Sequence, residues 1–228
     1  MTSRHDTPGS RGARLDPDGS GVTAFQRRNM RRNPGRNITS DRRASVLMQL
    51  EELFLSEGFA DYTIEALVAR LRCSKSTLYG IAPSRDEIIV VVVKQFFREA
   101  ARRIEARVGE IADPRDRIAA YLAGVGSEMS RMSENCYSDM VSYAITRDIY
   151  DHNSRVAASR VNSMIQEGIA AGKFRQLHAE FVGQAISVLI EGIQGGTLLR
   201  RTGLSSGEAY HELSGLVLGS LTNSGDLP

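Results

Sequence analysis

The 228-residue sequence lacks several features that particular classes of protein require. It has no tryptophan and only two cysteines, Cys73 and Cys136, which are too few for a disulfide framework or a cysteine-rich metal cluster. Its longest apolar run is the six residues Ile88–Val93, whereas a membrane-spanning helix needs about 20. The amino-terminal residues contain no apolar stretch like that of a secretion signal. We therefore expect a cytoplasmic protein with no membrane segment and no metal or other cofactor.

Positive charge is in small excess overall but is concentrated at the amino terminus. The net charge is only +2, yet residues 1–40 hold eight arginines against three aspartates, which gives them +5 and leaves −3 for the other 188 residues. The same segment is rich in glycine, proline and serine, a composition typical of disorder. We predict that residues 1–40 form a disordered basic arm. The arm either contacts DNA phosphates or the minor groove or is a tail without that role.

After residue 40 the apolar residues recur at helical spacing without any strand-like alternation, so we predict an all-α fold of about nine helices. The first helix is predicted over residues 41–57. Ile88–Val93 would favour a strand by propensity alone. A capping box formed by Ser84 and Glu87, and the apolar positions that follow it, instead indicate a helix that runs to about Gly109.

The sequence pattern in the second half of the chain predicts five further helices. Pro114 marks the start of the fifth helix, because proline suits the first helical position. Apolar stripes over residues 137–149 and 156–169 predict two separate helices. The last two helices are predicted over residues 179–201 and 206–222.

The segment 64–79 has the pattern of two short helices joined by a tight turn. An apolar stripe ends at Leu71, Arg72 and Cys73 interrupt it, and Ser74 can cap a second helix. Two helices joined so tightly are typical of the helix-turn-helix, whose second helix enters the DNA major groove. The sequence therefore predicts a DNA-binding unit.

The polar residues of this unit suit contacts with DNA. Lys75 can bind phosphate, and Tyr79 offers a hydroxyl to the backbone. Ser76 and Thr77 are small enough to reach base edges. Arginines near the start of the flanking helices add positive charge at helix N-termini, which attract phosphate. The predicted DNA-binding residues are Arg43, Thr63, Ser74, Lys75, Ser76, Thr77, Tyr79 and Arg85.

These motifs resemble those of the tetracycline-repressor (TetR) family of bacterial regulators. The likeness is densest from Arg43 to Ile88, where the first helix, its link to the second, the recognition helix and the opening of the fourth helix all match. The sequence departs from the family at Arg72, where glycine is usual, and at Ala82, near which an aromatic residue is usual. The matching positions are Arg43, Val46, Leu47, Leu53, Phe54, Ser56–Phe59, Thr63, Ser74, Lys75, Thr77, Leu78, Tyr79 and Pro83–Asp86.

The resemblance implies a helix-turn-helix DNA-binding domain over residues 41–90 and a helical ligand-binding and dimerisation domain over residues 91–225. In the family the last two helices build a homodimer and the middle ones enclose a small-molecule pocket. The implied function is sequence-specific regulation of transcription by a repressor that a small-molecule effector releases from a palindromic operator. The alternative is an all-helical interaction or lipid-like-ligand-binding protein with a degenerate helix-turn-helix, which the departures at Arg72 and Ala82 would favour.

The implied pocket should draw on the tyrosines and methionines of helices five to seven. Methionine adapts to irregular ligands, and a buried tyrosine can orient a ligand through its hydroxyl, although plain core packing is the alternative for each of them. Few paired charges lie on the inner faces, which favours an apolar or aromatic effector. The predicted ligand-binding residues are Tyr121, Met129, Met132, Tyr137, Met140, Tyr143 and Met164.

Four glycines in the predicted eighth helix, Gly183, Gly192, Gly195 and Gly196, are costly within a helix. Close approach of a partner helix in a homodimer would explain them. The alternative is a locally broken helix buried within one subunit.

No set of residues supports catalysis. Asp148 and His152 lie one helical turn apart, but a single pair is too small for a metal site. Cys136 has no recognisable oxyanion-binding turn to accompany it. We predict that the protein is not an enzyme and has neither catalytic nor metal-binding residues.

Overall fold

The computed structural model describes residues 34–221 of the chain, and the side chains of residues 41–221. Every regular element in this region is an α-helix, which confirms the predicted all-α fold. Residues 1–33 of the predicted basic arm lie outside the described residues, as do residues 222–228. The helices are α1 (Pro34–Glu57), α2 (Ile64–Leu71), α3 (Lys75–Tyr79), α4 (Arg85–Val108), α5 (Pro114–Met129), α6 (Glu134–Ser142), α7 (Ala144–Ala170), α8 (Ala179–Gln194), α9 (Thr197–Thr202) and α10 (Ser206–Leu221).

Helix α1 starts earlier than the predicted residue 41, so the end of the segment predicted to be a disordered arm is helical. Pro34 stands at the first helical position, where its missing N–H costs no hydrogen bond. Composition alone did not reveal this start, because the glycine and asparagine that follow Pro34 favour turns over helices.

The predicted caps at Ser74 and Ser84 are confirmed, and Thr63 and Asp113 cap helices in the same way. The side-chain oxygens of Thr63, Ser74, Ser84 and Asp113 each accept a hydrogen bond from a backbone N–H in the first turn of α2, α3, α4 and α5, respectively. Such caps satisfy donors that a helix start otherwise leaves without a partner. The capped α4 includes the whole valine-rich run that propensity alone would assign to a strand.

The predicted eighth helix is in fact two helices, which raises the number in the described region from about nine to ten. Gly195 and Gly196 separate α8 from α9, and Gly196 has a φ of +67°, a conformation that residues with a side chain rarely adopt. A Cβ atom on Gly196 would lie 2.5 Å from side-chain atoms of Arg200 and Glu134. The break therefore requires glycine.

The other glycines of the predicted eighth helix lie in close contacts within one chain. A Cβ atom on Gly183 would lie 2.9 Å from the carbonyl oxygen of Ala158, and one on Gly192 would lie 3.0 Å from Leu198. These contacts explain both glycines within one chain, and their predicted role in a dimer stays a prediction. The two glycines allow α8 to approach α7 and α9.

The boundary between the sixth and seventh helices also differs from the prediction. The chain breaks at Tyr143, which has an extended backbone, and α7 then runs without interruption through residues 150–156. The first turn of α7 makes this break stable, because the Thr146 hydroxyl donates to the carbonyl oxygens of Met140 and Tyr143. The Arg147 side chain likewise donates to the carbonyl oxygen of Val141. These bonds satisfy carbonyl groups at the end of α6.

One continuous apolar core extends through the described helices. Helix α4 contributes to it along its whole length, from Ile88 to Val108, and packs on α5 and α7. Helix α7 in turn packs on α8, and α10 packs on α5 and α8. Full burial of each large apolar side chain stabilises the fold by about 1.5–3 kcal/mol. This core fixes where α2 and α3 lie relative to the helices that follow.

Candidate DNA-binding and ligand-binding sites

The turn between α2 and α3 has the backbone that a helix-turn-helix needs. Arg72 lies in the left-handed region with φ 48° and ψ 44°, and it is the one non-glycine residue of the described chain with a positive φ. The backbone N–H of Cys73 donates to the carbonyl oxygen of Val68 at 3.2 Å, which closes α2. Arginine in this conformation costs about 1–2 kcal/mol, but the turn forms as expected.

One side of helix α3 packs into the core, and the other side is exposed. The side chain of Leu78 is fully buried, as is that of Leu67 on α2, while Lys75, Ser76 and Tyr79 are exposed. Tyr79 keeps 48% of its surface accessible. Lysine, serine and tyrosine side chains are therefore exposed on one short helix that Leu78 anchors in the core.

A small cluster of hydroxyl groups lies at the start of α3. The Ser74 hydroxyl lies 2.8 Å from the hydroxyls of both Ser76 and Thr77, and it accepts a hydrogen bond from the backbone N–H of Thr77. Ser74 and Thr77 therefore have a structural role in the cap in addition to any contact with DNA. Of the two residues whose hydroxyls contact Ser74, Ser76 is more exposed than Thr77.

Lys75 has a partner within the chain. Its ammonium donates to the carboxylate of Glu65 on α2 at 2.6 Å, and both side chains are exposed. The hydrogen bond raises the pKa of Lys75 and lowers the pKa of Glu65. A phosphate that binds Lys75 must therefore compete with a carboxylate already in place.

Arg85 is held by the loop between α1 and α2. Its guanidinium donates to the carbonyl oxygens of Phe59, Ala60 and Tyr62 at 2.8, 2.7 and 2.5 Å, and it also pairs with Asp86. These bonds use most of its donors for the fold. Its predicted contact with phosphate stays a prediction, but its structural role is plain.

Arg43 and Thr63 also make contacts within the fold. Arg43 is exposed and donates to the carbonyl oxygen of Ile81 at 3.3 Å, and Thr63 caps α2. Ile81 and Ala82, which stand where the family has an aromatic residue, are both buried. Small apolar side chains therefore fill the space between α3 and α4, and the departure at Ala82 does not unseat α3.

A cavity of about 110 Å³ lies between α4, α5, α7 and α8. Its lining includes three aromatic residues, Phe97, Tyr121 and Tyr150, with Phe97 and Tyr150 packed edge to face at 6.2 Å between ring centres. Burial raises the pKa of Tyr121 to about 12 and raises that of Tyr150 as well, so both hydroxyls keep their protons near neutral pH. None of the described residues that line the cavity is an aspartate, glutamate, histidine, lysine or arginine.

The cavity brings together two of the seven predicted ligand-binding residues, Tyr121 and Met129. Tyr137 lies behind the wall, with its ring 5.6 Å from that of Tyr150. Tyr143 lies at the surface, with its ring 5.9 Å from that of Phe59. The remaining three, which belong to the buried core and do not line this cavity, are Met132, Met140 and Met164.

The main residues that the sequence reasoning missed lie on α7. Tyr150, Asn153, Ser154 and Ala157 all line the cavity, and their spacing of three and four places them on one face of a helix. This signal was present in the sequence. It was hidden because the seventh helix was predicted to start only near residue 156.

Two sets of contacts join α1 and its following loop to the later helices. Asp139 on α6 accepts hydrogen bonds from the backbone N–H groups of Phe59 and Ala60 at 2.6 and 2.8 Å. The backbone N–H of Ser133, just before α6, donates to the carbonyl oxygen of Leu55 at 2.8 Å. Helix α6 therefore contacts the helix-turn-helix region through Asp139 and the cavity wall through Tyr137.

The second set is a network of charged side chains. Arg103 on α4 binds the buried carboxylate of Glu128 through two hydrogen bonds of 2.6 and 2.7 Å. Arg131 bridges Glu128 to Glu51 on α1, each at 3.0 Å. The bond to Arg103 lowers the pKa of Glu128. Arg103, Arg131 and Glu51 also border an open groove of about 730 Å³, in which these charges are already paired.

Within the described side chains, no group of three histidine, cysteine, aspartate or glutamate residues is placed to hold a metal ion. Asp148 and His152 are both exposed on α7. Among the described helices, none is both long and apolar enough to span a membrane.

Solved structures share this arrangement of helices. A protein from Saccharomonospora viridis in complex with choline has a TM-score of 0.69 and 20% identity, over 81% of this chain and 99% of that one. A TetR transcription regulator from Haloarcula marismortui has a TM-score of 0.66 and 16% identity, over 80% of this chain and 97% of that one. This chain has the TetR fold. At such identities the likeness to TetR proteins is one of fold.

A third solved structure with a similar fold is AibR in complex with isovaleryl coenzyme A and operator DNA. It has a TM-score of 0.60 and 14% identity, over 79% of this chain and 100% of that one. No family model matches the sequence, and a search of the curated proteins finds no relative. The resemblance seen in the helix-turn-helix motifs is therefore supported by the TetR fold of the described chain.

Proposed function

We propose that this protein is a sequence-specific DNA-binding regulator of transcription, a repressor that a small molecule releases from a palindromic operator. The observation that carries the proposal is the exposed face of α3. Lys75, Ser76 and Tyr79 stand on a helix that a left-handed turn and a buried leucine hold in place. A lysine and small hydroxyl side chains suit contacts with phosphates and base edges.

The proposed domains are a DNA-binding domain over residues 41–90 and a ligand-binding and dimerisation domain over residues 91–225. Helix α4 runs through the proposed boundary, so the two domains share one continuous helix. AibR holds both an acyl coenzyme A and operator DNA on the same fold, which supports a regulator with two such sites.

A homodimer through the last long helices, α8 and α10, is part of the proposal. Phe181 and Val188 on α8 are 71% and 65% exposed, and Leu216 on α10 is 64% exposed. A Cβ atom on Gly207 or Gly215 of α10 would meet nothing within 4 Å, so the outer face of α10 is open to close approach. Isologous pairing of two such faces gives a two-fold dimer, and a two-fold dimer reads a palindrome.

The proposed effector site is the cavity between α4, α5, α7 and α8. Tyr150 lines the cavity and packs against Tyr137 of α6, whose Asp139 holds the loop before α2. A ligand that favours one position of α6 would bias the placement of the helix-turn-helix. It can do so only to the extent that it binds one arrangement more tightly than the other.

Fluorescence anisotropy with purified full-length protein tests DNA binding. The chain is titrated against its own upstream intergenic DNA and against scrambled DNA of equal length, each at two salt concentrations. We expect a preference of about a hundredfold or more for the native DNA and an affinity that falls steeply with salt. Equal, salt-sensitive binding to both would indicate a generic DNA binder. No binding to either would favour the interaction-protein alternative.

Removal of the α3 side chains tests which residues bind. Lys75→Ala combined with Tyr79→Ala should weaken operator binding by about tenfold or more, and loss of the Lys75 phosphate contact should reduce the salt slope by about one. The control is Lys94→Ala, which removes an exposed lysine from the middle of α4. Unchanged operator affinity in the double variant would refute the assigned DNA-binding role of α3.

A further inference from the structure

The size of the cavity limits what it can bind. At about 110 Å³ it is somewhat smaller than an engineered apolar cavity of about 150 Å³ that binds benzene in another protein. It is also open at its rim, where Val156 is 54% exposed, so one ring fills it and a small substituent can extend towards the rim. An acyl coenzyme A is many times larger and would not fit without rearrangement of the surrounding helices.

The lining also limits the charge of the ligand. None of the described residues that line the cavity carries a charge, and the Tyr121 and Tyr150 hydroxyls stay protonated because burial raises the pKa of both. The nearby Glu105 is already paired with Arg160 at 3.0 Å. A charge placed among these residues, away from the rim, would lose its water without gaining a counter-ion, which is strongly unfavourable.

Two polar side chains of the lining use their donors within the chain and leave acceptors for a ligand. The Asn153 amide donates to the carbonyl oxygen of Ile149 at 2.7 Å, and the Ser187 hydroxyl donates to that of Gly183 at 3.3 Å. The side-chain oxygens of both residues can still accept. A ligand that brings a hydroxyl donor would satisfy them, while Phe97, Tyr121 and Tyr150 supply an aromatic surround for a ring.

We propose that the cavity selects a neutral, single-ring molecule that carries one hydroxyl group, such as a benzylic alcohol or a phenol. The inference rests on the proposed function in one respect, namely that this cavity is the effector site. It adds the size, the charge and the hydrogen-bonding group of the effector.

Isothermal titration calorimetry of the full chain, without DNA, tests the class of ligand directly. Benzyl alcohol, benzylammonium and benzoate share one shape and differ in charge. We expect benzyl alcohol to bind at least about tenfold more tightly than either ion, because no lining group compensates a buried charge. Tighter or equal binding of benzylammonium would show an aromatic cation site instead. Equal binding of benzoate, or no binding of any probe, would also overturn the proposal.

A matched pair of variants locates the binding. Ala157→Leu extends a lining residue of α7 into the cavity and should abolish binding of benzyl alcohol. Ala123→Leu makes the same change at an exposed position of α5 that does not line the cavity and should leave binding unchanged. Circular dichroism checks that both variants fold, and loss of binding in both or in neither would contradict the assigned site.

Failure of this inference is distinguishable from failure of the proposed function. Specific operator binding without binding of benzyl alcohol would support the proposed regulator and reject the proposed class of ligand. Binding of benzyl alcohol in the cavity without specific DNA binding would keep the ligand class and reject the regulator.

Discussion

At the scale of single residues, the side chains proposed to face DNA already have partners within the chain. Lys75, the cation best placed to bind phosphate, is paired with Glu65, and Arg85 is engaged by three carbonyl oxygens. The lysine and the arginine therefore differ in how firmly they are held. The Lys75 pair is exposed and can exchange partners, whereas the Arg85 contacts hold the loop that leads into α2.

Removal of the Glu65 carboxylate should strengthen DNA binding. Glu65→Gln frees Lys75 from its partner and takes a negative charge away from the DNA, so we expect operator affinity to rise by about two- to fivefold, as suits an exposed pair. The measurement is anisotropy at low salt. Glu110→Gln makes the same charge change in an exposed loop after α4 and should leave affinity unchanged. A fall in affinity for Glu65→Gln would show that Glu65 positions Lys75 for DNA.

At the scale of elements, α6 and the end of α5 join the two proposed domains through polar contacts. Asp139 holds the loop after α1 by two backbone N–H groups, and the Glu128 network links α4, α5 and α1. Polar contacts of this kind depend on position more strictly than apolar packing does, because hydrogen bonds weaken quickly with changes in angle. They are therefore suited to transmit a small displacement.

The Glu128 network gives a prediction for stability and pH. Glu128→Gln removes a buried charge partner of two arginines that remain partly exposed, so we expect a loss of about 1–3 kcal/mol at pH 7. Because the folded-state pKa of Glu128 is lowered, its stabilisation is present above the unfolded value of about 4.3 and is lost as the pH falls through the folded value. Denaturant unfolding at pH 7 and at pH 3 should show the difference between wild type and variant shrinking at the lower pH.

The control for that prediction is Glu134→Gln, whose pair with Arg200 is exposed on both sides and should matter little at either pH. A difference that persists undiminished in acid would show that the variant acts through packing and not through charge.

Loss of the Asp139 carboxylate should separate ligand binding from DNA release. Asp139→Ala leaves the N–H groups of Phe59 and Ala60 without their acceptor, which should cost about 1–3 kcal/mol of stability. We expect ligand affinity in the cavity to hold while the ligand-dependent fall in operator affinity shrinks. Calorimetry and anisotropy on the same sample measure both. Asp148→Ala, at an exposed position of α7, is the control, and an unchanged release response in Asp139→Ala would exclude this route.

At the scale of the whole molecule, the proposed dimer decides how DNA is read. One α3 offers a small contact surface, and two copies on a two-fold axis bind two half-sites at once, which raises the overall affinity without new contacts. The exposed apolar residues of α8 and α10 are the surface that would hold the copies together. Exposed apolar patches of this kind mark interaction sites in proteins.

A charge placed on that surface should separate the copies. Val188→Glu together with Leu216→Glu buries two carboxylates per subunit in the proposed interface, so we expect a monomer by analytical ultracentrifugation and operator binding weakened by about a hundredfold. Ile145→Glu places a carboxylate at an equally exposed apolar residue at the start of α7 and should remain dimeric. A double variant that sediments as a dimer would place the interface elsewhere.

Features that depend on consecutive residues could be predicted from the sequence, whereas features that depend on contacts between helices could not. The caps at Ser74 and Ser84 and the turn at Arg72 and Cys73 depend on a few consecutive residues, and each was predicted correctly. The break at Tyr143 has neither glycine nor proline to mark it. It is stable because Thr146 and Arg147 reach back to α6, and such contacts are not visible in periodicity.

The cavity was predicted less well for a related reason. Methionines were chosen by residue type, and three of them pack in the core away from the cavity. The register of α7, which depends on the position of the break at Tyr143, decides that Tyr150 and Asn153 face the cavity. The structural role of Arg85 likewise depends on a loop more than 20 residues away, which no local pattern reveals.

The described side chains that line the cavity carry no charge, and this bears on how a signal would reach the protein. The cost of stripping water from an ion, which would exclude charged molecules from the cavity, also slows their passage through the hydrocarbon of a lipid bilayer. A binding site that selects neutral one-ring alcohols therefore selects compounds that enter cells without a transporter. A regulator with such a site would respond to the concentration of the compound in the surroundings, with no uptake system between the environment and the gene.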